Sequence, residues 1–119
     1  HLELLKKGNW DVYVSAFVSA PTGDPEYFFT THCVQDSSKN RGGYYSETFE
    51  MLEQQLSGEF DTEKRTELAI EMTQTLLDDH MFFFASHLKM SMVSGEGVTG
   101  LTAHPCDYYE ITVNLDKNK

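Results

Sequence analysis

The sequence predicts a mixed α/β domain in which strands and helices alternate along the chain. Three observations support this prediction. Apolar and polar residues alternate with period two over residues 11–19, which is typical of a half-buried strand. Apolar residues recur every fourth position within residues 62–79, which is typical of an amphipathic helix. An unbroken apolar run follows at 81–85, as expected of a central strand with both faces covered.

The N-terminal part is predicted to hold a short helix, a strand and a second short helix. Residues 2–7 have the pattern of the last turns of a helix, basic at its C-terminal end, and Gly8 favours its termination. The first strand ends before the turn at 21–25, where two prolines and a glycine interrupt both helix and sheet. Asp24 is predicted to cap a helix that starts at Pro25.

Two longer helices are predicted in the middle of the chain. Ser46 is suited to cap the first, over residues 47–56, and Gly58 to end it. Asp61 is suited to cap the second, over residues 62–79.

The second of these helices has apolar residues on two faces. Leu68, Met72 and Leu76 share one face, whereas Ile70 and Leu77 lie nearly opposite. We therefore expect this helix to contact two layers of the protein.

Two further strands are predicted toward the C-terminus. Apolar and polar residues alternate at 88–92, and a clean alternation near the end of the chain predicts a half-exposed strand at about 108–116.

The chain is strongly acidic. It has 19 Asp and Glu against 9 Lys and Arg, which gives a formal net charge of −10. Nucleic-acid-binding surfaces need clustered cations, and Arg41 and Arg65 are the only arginines. We therefore expect no nucleic-acid partner. No apolar run approaches the roughly 20 residues of a membrane span.

The two cysteines, Cys33 and Cys106, are compatible either with a disulfide or with two buried thiols. With His32 and His104 they could also offer two imidazoles and two thiolates to zinc. Neither His–Cys pair has the two-residue gap of a zinc knuckle, so loop histidines and buried thiols are the simpler interpretation. We expect no resident metal and no cofactor.

Hydrolytic motifs are missing from the sequence, which has neither G-x-S-x-G nor H-E-x-x-H. Asp78, Asp79 and His80 place carboxylates beside an imidazole, but at the end of a helix they are more simply a polar terminus. We therefore expect no enzymatic activity.

Aromatic and hydroxyl side chains cluster before and within the turn at 21–25. Phe17, Ser19 and Thr22 belong to this neighbourhood, and aromatic rings with a few fixed polar groups are typical of a small-molecule cleft. Arg41, in a polar loop, could clamp a ligand carboxylate. The alternative is that Phe17 belongs to the core and Arg41 is a solvated loop residue.

Five motifs in order resemble one protein family. The sequence has GNWD at 8–11, PTGDPEYFF at 21–29, NRGGYYS at 40–46, DxEKRxxL at 61–68 and VxG at 98–100. This series resembles the C-terminal part of family 5 extracellular solute-binding proteins, the peptide and nickel receptors of ABC importers. The resemblance covers nearly the whole chain.

The resemblance implies a partial lobe of a type II periplasmic-binding-protein fold, a mixed sheet with flanking helices. Residues 1–119 would then form one C-terminal lobe fragment, whose strand at about 108–116 returns toward a missing N-terminal lobe. In this family a solute is trapped noncovalently by closure of two lobes about a hinge.

The resemblance also implies a ligand class, partners and a location. The ligand would be a small peptide, a nickel or other metal chelate, or a related solute, and the full-length protein would deliver it to an ABC importer permease outside the cytoplasmic membrane, where such proteins are often lipid-anchored. Phe17, Ser19 and Thr22 would lie at or near the cleft, with His32 and Arg41 as further ligand contacts.

The chain begins at His1 within a helical pattern, so we expect it to be part of a longer protein. A lobe without its mate exposes surface that is normally covered, and we therefore expect self-association. Two alternatives stay open at this point: a self-contained interaction or structural metal-binding module, and an enzyme domain with a site around His80 or His104.

Overall fold

The structure of the protein, a computed structural model, describes residues 2–89, 91–104 and 111–117. In these residues it has four helices and two short strands: α1 Leu2–Lys7, α2 Glu26–His32, α3 Glu47–Gly58, α4 Thr62–Asp78, β1 Val98–Thr99 and β2 Asp116–Lys117. The strands pair antiparallel, with Val98 opposite Lys117 and Thr99 opposite Asp116. Helix α3 packs between α2 and α4, and these three helices form the body of the protein.

Local sequence signals mark the end of α1 and the start of α2. Helix α1 stops at Gly8, which has a φ of 64° and whose N–H donates to the carbonyl of Leu5, as the glycine signal predicts. Before α2, the Asp24 carboxylate accepts the backbone N–H of Glu26 at 2.9 Å. Asp24 therefore bonds the first N–H of the helix, but the N-cap position is Pro25 and the helix starts at Glu26, one residue later than predicted.

Side-chain caps also start the two long helices. The Ser46 hydroxyl accepts the N–H of Phe49 at 3.4 Å, and the Asp61 carboxylate accepts the N–H groups of Glu63 and Lys64 at 3.1 and 3.0 Å. These hydrogen bonds confirm both predicted caps. The side-chain oxygens satisfy N–H groups of the first turn, which have no carbonyl partner in a preceding turn.

The core lies where α2, α3 and α4 meet. Its buried residues come from all three helices and from the residue that follows α2: Phe28, Phe29, Cys33, Phe49, Leu52, Leu56, Met72 and Leu76. The predicted face of α4 is thus confirmed as the core face. Its opposite apolar residues, Ile70 and Leu77, are exposed.

Helix α4 ends in a left-handed turn at His80, which has a φ of 57°. The N–H of Met81 donates to the Leu76 carbonyl and the N–H of His80 to the Leu77 carbonyl, which is the hydrogen-bond pattern of a Schellman motif. Met81 packs against the core. This turn brings the apolar segment after α4 back onto the helical body.

The predicted fold class, a mixed α/β partial lobe of a periplasmic-binding-protein fold with flanking helices, is wrong. Among the described residues, the structure has a two-stranded antiparallel sheet and is otherwise helices and irregular chain. The segments 11–19 and 81–85 are not strands. Residues 88, 89, 91 and 92 do not form a strand either, and Met90 lies outside the described residues. Of the predicted strand at 108–116, residues 108–110 lie outside the described ranges, and 111–115 are irregular.

The predicted strands do not form because an alternation of apolar and polar residues shows only that a segment has two different faces. A strand also needs a neighbouring strand to bond with. No backbone hydrogen bond among the described residues joins 11–19 to another extended segment. Several apolar side chains of the predicted strands are therefore exposed to solvent, among them Val12 at 83% and Val113 completely. Others, such as Phe17 and Phe82, pack against the helices instead of a sheet.

The overall dimensions agree with this description. The radius of gyration is 18.0 Å, against about 13 to 14 Å for a compact domain of this length. The helical body is packed, and irregular chain extends from it.

Candidate functional site

The candidate site lies where the end of α2 meets the extended segment 11–19. The Phe17 ring lies 4.5 Å from the His32 imidazole, edge to face, and 6.0 Å from the Phe28 ring. His32 and Phe28 are one helical turn apart on α2, and their rings are 5.6 Å apart. We call Phe17, His32, Lys39 and Arg41 the cationic corner.

Aromatic side chains from the segment after α4 extend this cluster. Phe82 lies 5.4 Å from Phe28 and 6.3 Å from Phe17, and it stacks on Phe84 at 5.7 Å with an angle of 14° between the rings. Since ring contacts of this geometry add to the free energy gained from burial, the segment is held against α2 although it forms no strand.

The loop between α2 and α3, which carries both cations of the corner, is fixed by hydrogen bonds. The Asn40 amide donates to the carbonyls of Val34 and Tyr44 at 3.1 and 2.7 Å and accepts the Tyr44 N–H at 3.0 Å. Ser37 donates to the carbonyl of Thr31. The loop is therefore closed on itself and on α2.

Tyr44 also connects this loop to the end of α4. Its hydroxyl donates to the Asp79 carboxylate at 2.6 Å. Burial, together with this hydrogen bond, raises the pKa of Tyr44 to about 12. The phenol therefore stays protonated and keeps donating to Asp79 at any physiological pH.

The charges of the corner act on His32. Burial lowers the pKa of the imidazole, and the charges of Lys39 and Arg41 lower it further. His32 is therefore neutral at pH 7, since its ordinary pKa is already below that. An anion bound between the three side chains would offset the two positive charges and raise this pKa.

Lys39 and Arg41 have no carboxylate within ion-pair distance among the described residues. Both side chains are exposed. In a chain with a net charge of −10, two neighbouring cations without an acidic partner form a local positive surface, which is suited to an anionic ligand group.

Arg65, in contrast, is fully occupied by the protein. One terminal nitrogen donates to Asp24 and Glu26, each at 2.7 Å, and the other donates to the carbonyls of Leu56 and Glu59, also at 2.7 Å. We call this set the Arg65 cluster. It links the start of α2 and the end of α3 to α4.

The structure brings together three of the five predicted ligand-binding residues. Phe17, His32 and Arg41 belong to one corner. Ser19 is exposed on the extended segment, and Thr22 lines a different cavity, of about 660 Å³, beside Asp24 and the Arg65 cluster. The alternative holds in part as well: the half-buried ring of Phe17 packs on the core and on His32, and Arg41 is an exposed loop residue.

Sequence reasoning missed Lys39, Phe82 and Arg65. Lys39 and Arg41 are two cations separated by one residue in an acidic chain, and this spacing is a visible sequence signal for a local positive surface. Phe82 was assigned to a central strand, and the sequence gives no sign that Arg65 would meet carboxylates so distant along the chain.

Cys33 is an inert thiol in this structure. It is completely buried in the core, and burial raises its pKa to about 12, which opposes the thiolate that zinc requires. No three His, Cys, Asp or Glu side chains within the described ranges are grouped closely enough to hold a metal ion. Cys106 lies outside those ranges, and so does any pairing that involves it.

Comparison with protein-family models, with curated proteins and with solved structures gives no match for this chain. None of the helices in the described ranges combines the length and the apolar character that a bilayer crossing requires.

Proposed function

We propose that the chain is part of the solute-binding component of an ABC importer, located outside the cytoplasmic membrane, and that the cationic corner contacts the solute. The observation that carries this proposal is the position of Phe17, His32 and Arg41 in one corner, with Arg41 and Lys39 lacking acidic partners in the described part of the chain. The order of the five motifs supports the same proposal.

The chemistry of the corner favours a solute with an anionic group beside an apolar group. Arg41 can hold a carboxylate through two parallel hydrogen bonds, and the exposed edge of the aromatic cluster can cover an apolar side chain or ring. A short peptide with a free C-terminus has both features, as does a metal chelate with carboxylate arms.

We further propose that a second lobe of the same protein closes over this corner, and that a permease receives the closed complex. This part of the proposal is supported by exposed apolar residues close in sequence to Phe17 and Phe82, among them Val14, which is 85% exposed, and Phe83, which is 90% exposed. Without that lobe Arg41 stays in water, where a carboxylate gains little from the contact. The same exposed residues favour self-association of the chain.

NMR titration of the chain tests the proposal, with a hydrophobic dipeptide that has either a free or an amidated C-terminus. We expect weak binding of the free acid, on the order of millimolar, with resonance shifts at Phe17, His32 and Arg41. Amidation or Arg41→Ala should abolish these shifts, whereas Lys7→Ala, which removes an exposed charge from α1, should keep them. Equal shifts with both peptides would contradict the role of Arg41. Micromolar binding by this chain alone would contradict the need for a second lobe.

A further inference from the structure

A second surface, independent of the cationic corner, lies between α2 and the outer side of α4. It is an open groove of about 340 Å³. Pro25 and the buried ring of Phe29 form its side toward α2, and Ile70 and Leu77 form its side on α4. This groove is the place where the second apolar face of α4, which the sequence predicts to contact another layer, meets solvent.

The polar residues along the groove do not make it polar. The hydroxyl of Thr66 donates to the carbonyl of Thr62 at 2.8 Å, and the hydroxyl of Thr73 donates to the carbonyl of Ala69 at 2.7 Å. Each hydroxyl is therefore bonded to the preceding turn of its own helix. The amide of Gln74, the third polar residue of the groove, donates to the Asp78 carboxylate at 2.7 Å. A ligand in the groove contacts mostly carbon.

The two largest apolar residues of α4 in this groove have the spacing of helix-binding anchors. Ile70 is 65% exposed and Leu77 is 40% exposed. They lie two helical turns apart, about 10 Å along the axis. A partner helix laid against α4 would place apolar residues at positions i, i+3 or i+4 and i+7 on this stripe.

Acidic residues flank the stripe on one side only. Glu63 and Glu67 lie about 20° and about 60° from Ile70 around the helix axis, and Glu71 and Asp78 continue the row. None of these four carboxylates forms an ion pair within the described part of the chain. The other flank carries the threonines of the groove and faces α2.

We propose that this groove binds a basic amphipathic helix of a partner protein. Apolar residues of that helix cover Ile70, Leu77 and Phe29, and Lys or Arg residues along one of its flanks face the row from Glu63 to Asp78. Charge complementarity selects this occupant, since opposite charges at the rim of an interface accelerate association and exclude wrong partners. A second copy of this chain, with a net charge of −10, is disfavoured for the same reason.

Fluorescence anisotropy with two labelled synthetic helices tests the proposal. Both helices have about four turns, a lactam bridge that keeps them helical, and the same leucine stripe. One carries lysines along a single flank, and the other carries glutamates at the same positions. We expect the lysine helix to bind on the order of 10 μM and the glutamate helix at least tenfold more weakly. This preference should shrink at about 0.5 M salt, which screens charges at a rim.

Variants of exposed residues locate the site without disturbing the core. Ile70→Ser should weaken binding of the lysine helix about tenfold, and Glu67→Lys about threefold at low salt. The matched controls are Phe60→Ser, which removes a 91% exposed apolar residue outside the groove, and Glu96→Lys, an exposed charge reversal in a loop. Both controls should bind as the unaltered chain does.

Three outcomes would overturn the proposal. These are equal affinity for the two helices, no binding of either, or a loss on Phe60→Ser as large as that on Ile70→Ser. Sedimentation equilibrium of the unaltered chain and of Ile70→Ser adds a further check. A dimer that Ile70→Ser dissociates would identify a second copy as the occupant and overturn the proposed partner. None of these outcomes depends on solute binding at the cationic corner.

Discussion

The two arginines of this protein, Arg41 and Arg65, have opposite environments. Arg65 donates four hydrogen bonds of 2.7 Å to two carboxylates and two backbone carbonyls, and its side chain is only 17% exposed. Arg41 is exposed and forms no ion pair with any described residue. The same guanidinium group therefore connects helices in one region and is available to a ligand in the other.

The acidic excess of the chain is unevenly distributed around the two arginines. Near Arg65, carboxylates from the start of α2 are close enough to be paired, and the pKa of Asp24 is lowered by the backbone N–H of Glu26 and by Arg65. Near Arg41 the two charged side chains that act on His32, Lys39 and Arg41 itself, are both positive. A function for Arg41 therefore depends on an anion from outside the described part of the chain.

The largest expected effect is that of Arg65→Ala on stability. The substitution removes the donor shared by two carboxylates, the Leu56 carbonyl of α3 and the Glu59 carbonyl just after it, so we expect the free energy of unfolding to fall by about 2 kcal/mol. Denaturant unfolding followed by circular dichroism measures this difference. Arg41→Ala, the matched control, should change stability by less than about 0.5 kcal/mol. Equal losses for the two variants would contradict the different environments of the two arginines.

Asn40→Ala should have the next largest effect, because Asn40 holds the loop that presents Arg41. The variant loses three hydrogen bonds, and we expect a fall of about 1.5 kcal/mol in the free energy of unfolding. It should also abolish the dipeptide-induced shifts at Arg41, because the cation is no longer positioned.

Asn40→Asp provides the control for that experiment. A carboxylate keeps the acceptor for the Tyr44 N–H but places an anionic oxygen against the carbonyls of Val34 and Tyr44, to which the amide donates. Its stability should therefore fall at least as far as that of Asn40→Ala. Solute-induced shifts that persist in Asn40→Ala would show that the loop does not position Arg41.

The smallest expected effect is the pH dependence that His32 contributes. Its pKa is lowered in the folded protein, whereas in the unfolded chain it is near 6.5. As the pH falls below about 6.5, the unfolded chain binds a proton that the folded protein resists, so stability decreases toward the folded pKa. Above about pH 7 this contribution to stability is complete.

His32→Gln should flatten the stability profile between about pH 7 and pH 5. Because an anion at the corner raises the pKa of His32, solute binding should strengthen as the pH falls through this range. Binding that is independent of pH in the unaltered chain would separate His32 from the solute site.

The helices and their caps could be predicted from the sequence because their signals are local. Ser46 and Asp61 accept N–H groups within the next three residues, and the face of α4 that includes Met72 follows from its own periodicity. The His80 turn was not predicted, since a left-handed residue that is neither glycine nor asparagine has no strong sequence signal.

The strands could not be predicted in the same way, because a strand needs a partner. Residues 11–19 have the alternation of a strand and still lie as irregular chain, with Phe17 packed on α2 and Val12 in solvent. The candidate site was predicted in part for the same reason. Phe17, His32 and Arg41 were each recognisable as residue types, whereas their proximity depends on how the extended segment crosses the end of α2.

The sequence by itself determined the helices, the capping residues that start the two long ones, the core face of α4 and the acidic charge, since each depends on neighbours within about two helical turns. Only the tertiary structure decided which arginine is paired, which aromatic rings meet at His32, and which apolar face of α4 stays open. Those outcomes depend on contacts between segments that are distant along the chain, and such contacts leave no periodic pattern in it.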